Sequence, residues 1–138
     1  MGPTDKFRAH HDELLAMAGQ MTPNLDVEIL RKDARGVRAQ LSKLAGLLTV
    51  HLSMEDRTLY PALQAHSDPT VAATAVRFMR EMGGLKATFL AYAKRWGARD
   101  IELAPAAFIE ETQTIFAALA DRIARENDEL YVMLDKAA

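Results

Sequence analysis

His51-Leu-Ser-Met-Glu55-Asp-Arg-Thr-Leu59-Tyr60 is echoed further along the chain by Arg122-Ile-Ala-Arg-Glu126-Asn-Asp-Glu-Leu130-Tyr131. A polar residue, a glutamate four positions on and a closing Leu-Tyr recur in one register. On an α-helix, residues four apart lie on one face, one turn above the other. Each copy therefore points two chemically active side chains the same way. The first offers an imidazole and a carboxylate, a metal-ligand pair; the second offers a guanidinium and a carboxylate.

Outward from these copies the apolar spacing is helical throughout, and turn-formers divide it into four long pieces. Pro23-Asn24 ends the first, Ser67-Asp68-Pro69 parts the second from the third, and Gly97 through Pro105 parts the third from the fourth. Phe7, His11, Leu14, Leu15, Ala18 and Met21 form the stripe of the first piece. Val37, Leu41, Leu44, Leu48, His51 and Glu55 step through the second by threes and fours, the rhythm of a bundle seam. Val71, Ala75, Phe78, Met82, Leu85, Phe89, Tyr92 and Trp96 do so in the third. The fourth runs Phe108, Thr112, Ile115, Leu119, Arg122, Glu126, Leu130 and Met133. No stretch alternates with period two, so no strands are expected. Long amphipathic helices with short connections predict an all-α, up-down-up-down antiparallel four-helix bundle, one domain over 1–138. Asp26 is placed to cap the second helix, Pro61 to kink or end it near Tyr60, and a break near Gly36 would suit its length.

Composition narrows the partners. With 49% hydrophobic and 26% charged residues the chain is globular, and a formal charge of -2 gives no general pull toward nucleic acid or anionic membrane. The absence of cysteine removes disulfides, thiolate nucleophiles and Cys-ligated metals, so a metal would need His and carboxylate ligands. Neither an apolar span nor a secretion signal is present, which makes the cytoplasm the expected compartment. Lys94-Arg95 and the Arg31-Lys32 cluster read as solvated faces, His66 as a loop residue and His10 as a rim histidine.

His11, His51, Glu55, Arg122 and Glu126 all fall on seam positions. Charged groups are rarely buried without a pair or a metal, so the set calls for one joint explanation. These residues also carry a family resemblance. His11-Asp-Glu-Leu14-Leu15 and His51-Leu-Ser-Met-Glu55-Asp-Arg-Thr-Leu-Tyr60-Pro61 resemble the first-helix histidine motif and the HxxxE…LYP motif of hemerythrin-like HHE cation-binding domains. The resemblance covers nearly the whole chain. It implies a bundle whose histidines cap, and whose carboxylates bridge, two non-haem irons. Carried over residue by residue it makes His11, His51, Glu55 and Glu126 metal ligands, while Met82 and Arg122 stand where the family has histidines.

Two imidazoles and two carboxylates do not fill the shells of two irons, and a thioether suits iron poorly. The expected cofactor is therefore none, or a single non-haem metal ion, iron or zinc; a full di-iron centre is not expected. Arg122 also adds a permanent positive charge. Two unit charges at ~4 Å interact by about 4 kcal/mol at an effective dielectric near 20, and a divalent ion doubles that, so Arg122 is expected to swing outward if a metal binds. Alternatively Arg122 replaces the metal and bridges Glu55 and Glu126 itself.

Two function classes are consistent with this. One is a small hemerythrin-like protein with a reduced non-haem metal site, which senses or sequesters metal, oxygen, nitric oxide or redox species, a small diatomic ligand entering only with a metal. The other is a metal-free regulatory bundle with a protein partner on its outer faces. A histidine phosphotransfer bundle fits less well, because His51 lies in the seam. An enzyme is not expected: no Ser/His/Asp arrangement and no phosphate-cradling glycine loop appear. Two details stay open. Gly83-Gly84 interrupts a helical pattern beside Met82, where it permits a kink or a close backbone approach. Tyr60 and Tyr131 read as interior rings whose hydroxyls seek a polar partner.

Overall fold

The computed structural model describes residues 2–137; Met1 and Ala138, included in the expected domain limits, lie outside them. Among the described residues the chain is helical with no strand. The first rod is α1 (Asp5–Met21), and a short 3-10 turn at Thr22–Asn24 leads into α2 (Val27–Met54). The second rod continues through a wide turn at Glu55–Leu59 into α3 (Tyr60–Gln64). α4 (Pro69–Met82) and α5 (Leu85–Arg95) make the third, and α6 (Ala98–Leu103) fills the next connection. The fourth is α7 (Pro105–Arg125), a second wide turn at Glu126–Leu130, and α8 (Tyr131–Ala137). The four rods form the expected antiparallel four-helix bundle.

Local chemistry accounts for the starts and breaks. Asp26 caps α2, its Oδ1 accepting from the N–H groups of Glu28 at 3.0 Å and Ile29 at 3.1 Å. The break expected near Gly36 falls three residues earlier, at Asp33 (φ -138°, ψ 47°). Asp33 leaves the helix so that its Oδ1 can accept from Gly36 N–H at 3.1 Å, recapping the remainder. Gly83-Gly84 divides the third rod into α4 and α5. The connection after Gly97 is not a plain linker: α6 packs against α2 and buries Ile101 fully.

Of the kink or end expected at Pro61, the end does not occur: the second rod runs on through α3. The wide turn precedes it: Tyr60 N–H donates to the Glu55 carbonyl, five residues back, and Pro61 enters the first turn of α3, where no N–H is required. Tyr131 N–H donates to the Glu126 carbonyl in the same way. Residues five apart are separated by about 140° on an ordinary α-helix. Widening the turn rotates each tyrosine back to the face of its glutamate, and Glu55, Tyr60, Glu126 and Tyr131 are all buried.

The seams fill two apolar blocks. The larger includes Leu14, Leu41, Leu48, Phe89, Phe108 and Leu119; the smaller gathers Leu59, Tyr60, Leu63, Phe78, Leu130 and Tyr131. His51 and Glu55 come after Leu48 and precede Leu59, and Arg122 and Glu126 lie likewise between Leu119 and Leu130. The polar set is thus a layer between two apolar blocks. Leu15, expected on the first stripe, is instead 42% exposed.

Candidate metal centre

His11, from the middle of α1, meets His51 and Glu55 at the end of the α2 seam and Arg122 and Glu126 at the end of α7. All five are buried. One donor atom from each of His11, His51, Glu55 and Glu126 lies within 4.8 Å of the others. His51 Nε2 is 2.6 Å from Glu55 Oε1, and His11 Nε2 is 3.1 Å from Glu126 Oε1 and 4.0 Å from Glu55 Oε1.

These approaches are close but badly aligned as hydrogen bonds. His51 Nε2, Glu55 Oε1 and Glu126 Oε1 are buried with no hydrogen-bond partner among the described residues. Each such atom costs about 1–3 kcal/mol. A cation at their common point would satisfy all three, so this donor set fits a metal ion. It also has the mixed imidazole and carboxylate character that divalent iron and zinc accept.

The opposite edge of each ligand is already committed. Glu55 Oε2 accepts from Tyr131 at 2.9 Å; Glu126 Oε2 accepts from Tyr60 at 2.6 Å and from Arg122 Nε at 3.2 Å. Each carboxylate therefore offers one uncommitted oxygen inward, which suits terminal ligation of a single ion. His11 Nδ1 lies 2.8 Å from Asn127 Oδ1 and stacks on Tyr131. With Nδ1–H donated to that amide oxygen, the lone pair of Nε2 faces the cluster.

Arg122 lies in the core, 2% exposed. It pairs with both glutamates, as one of the two expectations had it, but of the two hydrogen-bonds only to Glu126. Nη2 is 4.0 Å from Glu55 but donates to Asp56 Oδ1 at 3.1 Å, and Nη1 donates to the Met82 carbonyl at 3.2 Å. Asp56 thus shares Nη2 with Glu55 Oε1 and lies closer to it. The Gly83-Gly84 interruption explains the carbonyl: a continued helix would have bonded it internally. Met82 joins the layer through its backbone, its half-buried side chain packing into the smaller apolar block.

Electrostatics divide the two glutamates. Burial and the facing Glu126 push the Glu55 carboxyl well above its usual range. Burial opposes ionisation of Glu126 as well, yet the close approach of His11 and Glu55 and the charge of Arg122 bring it down to about 2. Arg122 is held charged against burial by Glu126 and Glu55. His51 is lowered to about 3, foremost by burial and then by His11, and is neutral. The two carboxyls thus stand apart in acidity, Glu55 pushed up and Glu126 held down, while His51 Nε2 lacks a partner.

His11, His51, Glu55 and Glu126 thus converge as the sequence suggested. Asp56, Asn127 and His10 were missed as partners. Asp56 and Asn127 share one signal: each comes directly after the glutamate of its repeat. A family model described as Hemerythrin HHE cation binding domain matches residues 2–134. No curated protein and no solved structure matches the chain.

Proposed function

The chain belongs to the hemerythrin HHE cation-binding domain family, and we propose that it is a one-metal member, holding a single non-haem iron or zinc ion through His11, His51, Glu55 and Glu126. The observation that carries this reading is the convergence of three unpartnered buried atoms, His51 Nε2, Glu55 Oε1 and Glu126 Oε1, beside His11 Nε2. The position of a second ion is taken by Arg122, which neutralises Glu126 and ties it to Asp56 and the α4 carbonyl. When iron is bound it supplies an open position for a small diatomic ligand; zinc supplies charge alone. Tyr60 and Tyr131 keep the carboxylates turned edge-on, and the two apolar blocks exclude bulk water. The role this supports is sensing or sequestration of metal, oxygen, nitric oxide or redox species, not turnover of a substrate.

A second reading rests on Arg122. Its contacts to Glu126, Asp56 and Met82 lock three elements together without a cation, as a metal-free regulatory bundle would require. Metal analysis of protein purified anaerobically from iron-supplied cells separates the two. About one metal per chain, lost in His11→Ala and His51→Ala, supports the first. Metal-free protein that is not stabilised by added iron or zinc supports the second, and about two irons per chain refutes both.

A further inference from the structure

His10 is half-buried at the rim of the bundle, next in sequence to the ligand His11, yet its nearest chemistry is with the other ligand. Its Nδ1 lies 3.1 Å from Nδ1 of His51, and the two rings meet edge to face with centroids 5.3 Å apart. One of the two nitrogens must carry the proton between them.

Geometry decides which. If His51 were protonated on Nε2, that N–H would be buried with no aligned acceptor, because Glu55 Oε1 is near but off the donor direction. Protonated on Nδ1, His51 has an acceptor in line, namely His10. We infer that His10 is a positioning residue for the metal centre: it accepts Nδ1–H from His51 and thereby fixes the tautomer that turns the Nε2 lone pair toward Glu55 and Glu126. His11 obtains the same service from Asn127, whose amide oxygen only accepts. The two ligands are therefore unequal. His51 depends on a rim imidazole that is itself able to change tautomer, and Phe7 also meets its ring edge to face, with centroids 6.0 Å apart.

Outer partners of metal-bound histidines typically account for about 10–100-fold in metal affinity. The inference rests on the metal-binding reading above, but its first readout does not need a metal. In the metal-free protein, long-range proton–nitrogen NMR spectra should show His51 protonated on Nδ1, and that signature should be lost in His10→Leu. Zinc binding, measured by competition with a chromophoric chelator, should weaken about 10–100-fold in His10→Leu. His10→Gln restores a side-chain acceptor and should recover most of that loss, which a purely structural role would not produce. His66→Leu, on a distant loop, should leave both readouts unchanged. His51 protonated on Nε2 in the wild type overturns the inference. So does zinc binding and tautomer unaltered in His10→Leu, with the metal-binding reading left intact. A wild type that takes up no zinc, iron or other divalent ion overturns that reading first and the positioning role with it.

Discussion

Tyr60 donates its hydroxyl to Glu126 Oε2 at 2.6 Å, so the tyrosine of the first repeat holds the glutamate of the second. Tyr131 returns the arrangement to Glu55 at 2.9 Å. The wide turns make this exchange possible, since each rotates its tyrosine onto the interior face. Glu126 is held low and Glu55 pushed up, so the Tyr60 bond is the one to the carboxylate that ionises more readily.

Tyr60→Phe should therefore cost about 1.5–3 kcal/mol, the range for a hydrogen bond to a charged group, and Tyr131→Phe about 0.5–1.5 kcal/mol. Chemical denaturation of the metal-free variants measures both. Equal losses would show that the carboxylates share their charge evenly.

Removing Arg122 should cost more. Arg122→Ala leaves Glu126 and Asp56 without their cation and should destabilise the fold by about 3–5 kcal/mol, the range for breaking a buried pair. Arg122→His removes the permanent charge beside Glu126, so this variant should bind zinc more tightly while its metal-free form is less stable than wild type. Thermal melts with and without zinc read both effects, because a ligand that binds only the folded state raises the melting point. A wild-type protein strongly stabilised by zinc, with Arg122→Ala stable and equally responsive, would show that Arg122 is not part of the layer.

Acid stability is set by opposed shifts. His51 is neutral in the fold down to about pH 3 but takes a proton below 6.5 when unfolded, so its contribution is complete above 6.5 and declines as pH falls toward 3. Glu55, raised in the fold, works the other way: its contribution is complete below 4.5 and is lost as pH rises through its folded value. Between 6.5 and 4.5 the two oppose each other. Below 4.5, Glu126 joins His51, its own contribution being lost as pH falls toward 2. Stability of the metal-free protein should thus change little between pH 6.5 and 4.5 and fall steeply below. Glu55→Gln should unmask the His51 slope, up to about 1.4 kcal/mol per pH unit, from 6.5 downward. Urea titrations at stepped pH test it; a variant as flat as wild type in that window would contradict the neutral His51.

The glycine pair should respond unequally. A Cβ at Gly83 would overlap the Met79 carbonyl oxygen, whereas at Gly84 it would meet nothing within 4 Å. Gly83→Ala should cost about 1–3 kcal/mol and disturb the Met82 carbonyl that receives Arg122; Gly84→Ala should change stability by about 0.5 kcal/mol or less. Melting curves of the two single variants are sufficient, and equal effects would remove the close approach as the reason for Gly83.

Sequence by itself determined the bundle and the membership of its polar layer. Seam periodicity is local: a helix repeats every 3.6 residues, so the buried face of each rod can be counted, and His11, His51, Glu55, Arg122 and Glu126 were countable in that way. The repeated Glu…Leu-Tyr strings marked both wide turns, although a period of 3.6 could not reveal that the turns widen there. Only the tertiary structure decided the partners. Arg122 giving its hydrogen bonds to Asp56 and the Met82 carbonyl, Asn127 reaching His11, and Tyr60 and Tyr131 crossing to each other's glutamates are contacts between rods. They depend on rotations and axial offsets that no single helix encodes. The break at Asp33 belongs to the same class: Gly36 advertised weakness in the helix, but the residue that departs is the one whose carboxylate can fold back to cap the rest of α2.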